Sequence, residues 1–259
     1  MYNQLKNKQM NRKLKLGLTL FALGFLGVLT MLTVTLPLGD LPEQIAQLPP
    51  FTIKLITLVN PTIFLLIAVV VGTALYDKVN LSISTITSLL KIESHQPQTS
   101  FVQQLKYGVS LGLLAGTAVM LINFIFASVL SEQFQAYYSQ LEITLLARFG
   151  YGGITEELLL RFGLMTLLVW IIFKLTKKLN NAVYWTAIVI STVLFAVGHF
   201  PAVYAVISNP TTLFLTFVLV GNSIVGLVLG WLYWKKGLEA AIIAHIFTHV
   251  ALVSLGLFL

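Results

Sequence analysis

An all-α, polytopic integral membrane protein with about seven to eight transmembrane helices is the fold class this sequence predicts. Three observations lead there. Of 259 residues, 57% are hydrophobic and only 10% charged, whereas a soluble domain carries about 25% charged residues. The mean hydropathy is +0.89. The apolar residues gather into runs near the roughly 20 residues that a helix needs to cross a bilayer's hydrocarbon core. An ordinary globular enzyme and a disordered chain are both excluded, the second because it would be poor in aliphatics and rich in charge. Cysteine is absent, which removes disulfides, thiolate metal sites and a cysteine nucleophile and fits either redox compartment. The net charge of +7 comes from 16 basic against 9 acidic residues. These charges sit between the hydrophobic runs, so they read as topology signals and contacts to the lipid bilayer, with no nucleic acid partner.

In chain order, the runs predict spans near 17–36, 53–75, 108–130, 155–173, 182–199, 211–234 and 238–258. The last two are divided only by Lys235, Lys236 and Gly237. An eighth span depends on 141–152, which reads as an interfacial helix or a short re-entrant piece, while 200–210 reads as a turn of helix of its own. The first run follows basic residues, as in a signal peptide, but its length and the lack of a small-residue cleavage pattern before Leu38-Gly39-Asp40 favour a signal anchor. No internal repeat or linker divides the chain. It is expected to form one membrane domain over 1–259, with a basic cytoplasmic N-terminus over 1–16.

With seven spans, four basic connections fall on one side: Lys6, Lys8, Arg12, Lys13 and Lys15; Lys78, Lys91 and Lys106; Lys174, Lys177 and Lys178; and Lys235 with Lys236. The opposite loops carry Asp40, Glu43, Glu132 and Glu142, with Lys54 and Arg148 as exceptions. Positive charge stays in the cytoplasm, so the N-terminus is expected there. A compact chain without organellar targeting is expected in a bacterial plasma membrane.

Ionisable groups at membrane depth are costly and mark pairs, wet cavities or function. Here they cluster late in the chain. Glu156-Glu157-Leu158-Leu159-Leu160-Arg161 puts Glu157 and Arg161 one helical turn apart, where they pair, and leaves Glu156 without a partner in its own segment. Thr155 or Gly153 is the expected cap of that helix. Phe195-Ala196-Val197-Gly198-His199 ends a span, with Gly198 open to the approach of another helix or a substrate. His245-Ile246-Phe247-Thr248-His249 sets two imidazoles on one helix face, a spacing that suits helix–helix hydrogen bonds, one polar cavity or a metal. At 1.5 Å per residue, Glu156 and His199 come out near the outer ends of their spans, and a tilt, kink or re-entrant segment is needed to bring the groups together.

In this order the three motifs resemble those of the CPBP family of intramembrane proteases, which includes the type II CAAX prenyl endopeptidases and bacteriocin-processing or immunity proteins. The stretch Gly226–Tyr233 and the run from Gly237 to His245 add to the likeness, which covers about 150–250, the expected catalytic core. Two positions depart from the pattern: His249 stands where Asn or Asp is usual, and Phe162 separates Arg161 from the expected glycine. The resemblance implies an endopeptidase acting on a peptide or membrane-protein substrate. Glu156 and His199 would activate a water, Glu157 and Arg161 would form a support pair, and His245 with His249 would stabilise the oxyanion. It also leaves open a metalloprotease in which His199, His245, His249 and Glu156 hold zinc. A catalytically silent regulator or immunity protein of the same fold is the alternative. A proton-coupled transporter is less favoured, because polar residues are sparse in the first three spans.

Overall fold

The computed structural model describes residues 2–35, 45, 47–92, 99–140 and 143–256, with side chains from Met10 onward. The Lys6 and Lys8 side chains, Leu38-Gly39-Asp40, Glu43 and Glu142 therefore lie outside the described residues. The protein is an all-α, polytopic membrane protein with seven helices long and apolar enough to cross a bilayer. In lipid a helix alone satisfies its own backbone, so apolar composition dictates the element type.

In order, α1 is Tyr2–Thr30, α2 is Pro50–Val79 and the short α3 is Ser84–Leu89. Next come α4, Phe101–Val129, the polar α5, Ser131–Gln140, and α6, Leu145–Thr176. Next are α7, Asn181–Val197, the short α8, Phe200–Val206, α9, Thr212–Lys236, and α10, Leu238–Gly256. Four helix starts are capped by a hydroxyl or amide that accepts a first-turn N–H: Ser100, Thr144, Asn180 and Thr211. Each supplies a partner for a donor that has none within its helix. The break at Lys235-Lys236-Gly237 is present as expected. Gly237 has φ +99°, and its N–H donates to Leu232 O and Tyr233 O. A side chain there would be strained and would meet the Gln104 amide.

Two expectations are corrected. The ambiguous 141–152 stretch is neither interfacial nor re-entrant where described: from Leu145 it is the start of α6, which is continuous to Thr176. Glu156 therefore lies within the first half of its span, not at its outer end. The helix cap is accordingly Thr144, which accepts from Ala147 N at 3.2 Å. Thr155 is instead fully buried, and its hydroxyl donates to Gly24 O of α1 at 2.8 Å. The expected separate turn near 200–210 is α8.

The basic connections gather at one end of the bundle. Lys13 pairs with Asp77 at 3.0 Å, and Lys15 donates to Leu90 O. Gln104 donates to Lys236 O and to the buried Glu239 carboxylate, whose other oxygen takes Ile86 N–H at 2.9 Å. This network ties the start of α10 to α3 and α4. Lys235 lies 3.5 Å over the Trp234 ring, and Lys174 lies over Trp170, an aromatic and cationic girdle of the kind found at a membrane interface.

Helix α10, which carries two of the motif histidines, packs tightly on α4. Gly108, Gly112 and Gly116 line the contact, and a side chain at Gly112 would run into the Ala244 carbonyl. Thr248 crosses the interface to donate to Gly112 O at 3.2 Å. Glycines at every fourth position let two backbones approach closely where lipid offers no hydrophobic drive for helix association. This stripe fixes α10 against the bundle and thereby the position of its imidazoles.

Candidate active site

The site forms where α6, α7 and α10 meet, and the local shape of α6 makes it possible. Between Arg148 and Glu156, and again from Leu158 to Met165, α6 is wound as π-helix. Wide i→i+5 turns of this kind are rare and concentrate at functional sites. They supply the distortion needed to bring the motif groups together. Arg161 O accepts the Thr166 backbone N–H and also its hydroxyl, at 3.3 Å.

Glu157 and Arg161 do pair, with Nε 3.4 Å from Oε2, and both side chains are essentially shut off, at 0% and 1% exposed. The second carboxylate oxygen, Oε1, accepts from His245 Nδ1 at 2.9 Å. An ionised carboxylate only accepts, so Nδ1 carries the hydrogen, and His245 is held in one orientation with Nε2 turned toward Glu156 Oε2, 3.9 Å away. The carboxylate–imidazole arrangement resembles the way an acid orients a histidine in hydrolytic sites. Glu156 is the more accessible of the two acids, with a side chain 20% exposed, and its partner lies on another helix, as its isolation within α6 required.

His199 stands at the break between α7 and α8. Its Nδ1 lies 2.9 Å from Phe195 O. A carbonyl cannot donate, so Nδ1 bears the hydrogen, and in the neutral ring Nε2 presents a lone pair. His199 and His245 are both within electrostatic reach of Glu156. Phe195 joins the parts. Its ring meets the His199 ring edge-on at 4.8 Å and the His245 ring at 6.2 Å, and it takes the Arg161 guanidinium on its face at 5.0 Å. Arg161 also donates to Gly226 O at 3.2 Å, so α9 helps to hold the support pair. The atoms nearest to a side chain at Gly198, beside His199, would be carbonyls of its own helix end.

His249 stacks on His245 with ring centres 5.0 Å apart and planes 18° from parallel. Its Nε2 faces Gly152, where a side chain would come within 2.7 Å, and its buried Nδ1 has no hydrogen-bond partner among the described residues. Glycine at 152 is therefore what admits this imidazole to the site. All six expected site residues, Glu156, Glu157, Arg161, His199, His245 and His249, come together in one cluster.

The same geometry tests the zinc reading. Imidazole lone pairs lie in the ring plane, and zinc needs nitrogens at about 2.0–2.1 Å in a tetrahedron. Two near-parallel rings 5.0 Å apart cannot both aim at one ion, and the His245 Nδ1 is committed to Glu157. No three acidic or imidazole side chains among the described residues are grouped to hold a metal. These residues do not fit a zinc site.

Sequence reasoning did not single out Phe195 as the contact between the three motifs, nor the Gly108–Gly112–Gly116 stripe that seats α10. The spacing of the glycines was the available signal. A family model for the type II CAAX prenyl endopeptidase Rce1-like group matches residues 115–251, over half of the chain. Comparison with curated proteins and with solved structures gives no match.

Proposed function

Because the chain belongs to the type II CAAX prenyl endopeptidase Rce1-like family, we propose that it is an intramembrane endopeptidase that hydrolyses a peptide bond in a membrane-associated substrate through a water activated by Glu156 and His199. The observation that carries this reading is the convergence of Glu156, His199 and His245 from three helices, each imidazole held by a defined acceptor. The lone pair of His199 Nε2 and the Glu156 carboxylate accept the two hydrogens of a water. Glu156 removes one of them as the oxygen attacks the peptide carbonyl. Negative charge then develops on the carbonyl oxygen. His245 as an imidazolium, with His249 stacked beside it, supplies N–H donors there. The protonated Glu156 returns its proton to the departing nitrogen as the C–N bond breaks.

His249 tests the oxyanion assignment. His249→Asn keeps a donor and is expected to stay within about tenfold of wild-type kcat/KM, while His249→Ala loses roughly 10²–10³-fold, the usual cost of one oxyanion donor. Activity is expected to survive dialysis against a chelator. Loss on chelation, restored by zinc, would replace this mechanism with a metal-dependent one.

The protein is further proposed to sit in a bacterial plasma membrane with its N-terminus and basic connections in the cytoplasm. A reporter fused after Glu142 is expected to give an external signal, and a cytoplasmic one would reverse the orientation.

A further inference from the structure

The short helices α5 and α8 stand apart from the main core. Buried apolar side chains among the described residues fall into two clusters. One joins α1, α2, α6 and α10, and the other is built on Leu130, Val203, Phe214, Phe217 and Val218. Helix α5 closes this second cluster: its Phe134 meets Phe217 and its Tyr137 meets Phe214, each at 5.7 Å between ring centres. Phe200 and Val203 bring α8 to the same cluster. One amide then ties α5 to the connection between α8 and α9. Gln133 Oε1 accepts from Thr211 N–H at 3.2 Å and from the Thr211 hydroxyl at 3.0 Å, and its Nε2 donates to Asn209 O at 3.5 Å. All three bonds are exposed, where water competes for the same groups and each bond adds little net stability.

This cap is joined to the site at His199, which bonds to both helices it separates. Its carbonyl accepts the Val203 N–H of α8 at 3.3 Å, while its ring is held on α7 through Phe195 O. Pro201, in the first turn of α8, has no N–H to give, so the α7 ladder cannot run on through it. At the other end, α5 leaves α4 at Leu130, whose φ of −114° and ψ of 30° depart from helical values. A small core of its own, a proline joint and an exposed polar latch are the features of a segment that opens as one unit. We infer that α5 and α8 form a hinged cap beside the site, latched by Gln133, which swings about His199 to admit substrate and fixes the His199 backbone when it closes. This assignment rests on the endopeptidase reading and supplies the control of access to that site.

The chain has no cysteine, so Gln133→Cys with Asn209→Cys supplies the only two thiols and leaves the Thr211 cap intact. In the full-length protein in proteoliposomes, a short bis-methanethiosulfonate links the pair and a reductant releases it. Cleavage of a farnesylated CAAX-type peptide is expected to fall at least about tenfold on linking, as for a lid held shut, and to recover on reduction. Each single-cysteine variant should be indifferent to the reagent. A linked protein that cuts as fast as the reduced one overturns the cap. Backbone hydrogen exchange, which needs no substrate, tests the unit itself. Gln133→Ala is expected to speed exchange in α5 and α8 by the same factor, roughly three- to tenfold, and to leave the interiors of α4 and α9 as they are. Gln133→Glu keeps an acceptor for Thr211 and should retain most of the protection. Exchange that rises in α5 alone, rises equally through the bundle or does not change also overturns the proposal. Joint opening of α5 and α8 in a wild type that cuts no peptide retains the cap and removes the proteolytic reading.

Discussion

Glu156→Ala is expected to leave the protein inserted and folded and to abolish peptide cleavage. General acid–base catalysis by one positioned group contributes about 10²–10⁴-fold. Glu156 is assigned both the removal of the water's proton and its delivery to the leaving nitrogen, so the loss belongs at the upper end of that range. Stability should hardly change, because Glu156 is the partly exposed acid and its nearest imidazole nitrogen is 3.9 Å away. Glu156→Gln keeps the shape and removes the base, and it should be equally inactive. Rate at saturating peptide, read beside thermal unfolding in detergent, checks both halves of this expectation.

The second large effect falls on the support pair. Glu157 and Arg161 are closed off from both lipid and water, and each holds more than the other: Glu157 fixes His245, and Arg161 reaches Gly226 O and the Phe195 ring. Removing one member of a buried pair leaves an uncompensated charge, at a cost of about 3–5 kcal/mol. Glu157→Ala and Arg161→Ala are therefore expected to lower the unfolding midpoint and the activity together, which separates them from Glu156→Ala. Glu157→Gln retains an acceptor for His245 Nδ1 and should recover part of the activity lost in Glu157→Ala. An unchanged midpoint in either alanine variant, measured by thermal unfolding, would contradict the role given to this pair.

These contrasting expectations for adjacent glutamates show what the sequence could and could not supply. The long apolar runs made the seven-helix architecture legible, because lipid leaves a spanning chain few alternatives to a helix. The four-residue spacing of Glu157 and Arg161 gave their pairing, and that of His245 and His249 gave their common face, since both follow from helical periodicity. The start of α6 at Leu145 was harder to read. Tyr151, Gly152 and Gly153 interrupt the apolar pattern there, although they continue the helix and serve the packing of the site. The π turns of α6 were invisible for a similar reason: no residue type encodes a widened turn. The depth arithmetic assumed uniform α-helices and placed Glu156 at a span end, whereas the continuous α6 carries it inward. The stacking of His245 on His249, which sets aside the zinc reading, depends on rotamers that spacing does not determine.

The most direct test of the account is product analysis by mass spectrometry. A farnesylated CAAX-type peptide is incubated in proteoliposomes with the wild-type chain or with Glu156→Gln. The account predicts one new cleavage product with the wild type and none with Glu156→Gln under the same conditions. A peptide that the wild type binds but leaves intact, or one that Glu156→Gln cuts as fast as the wild type, would contradict it.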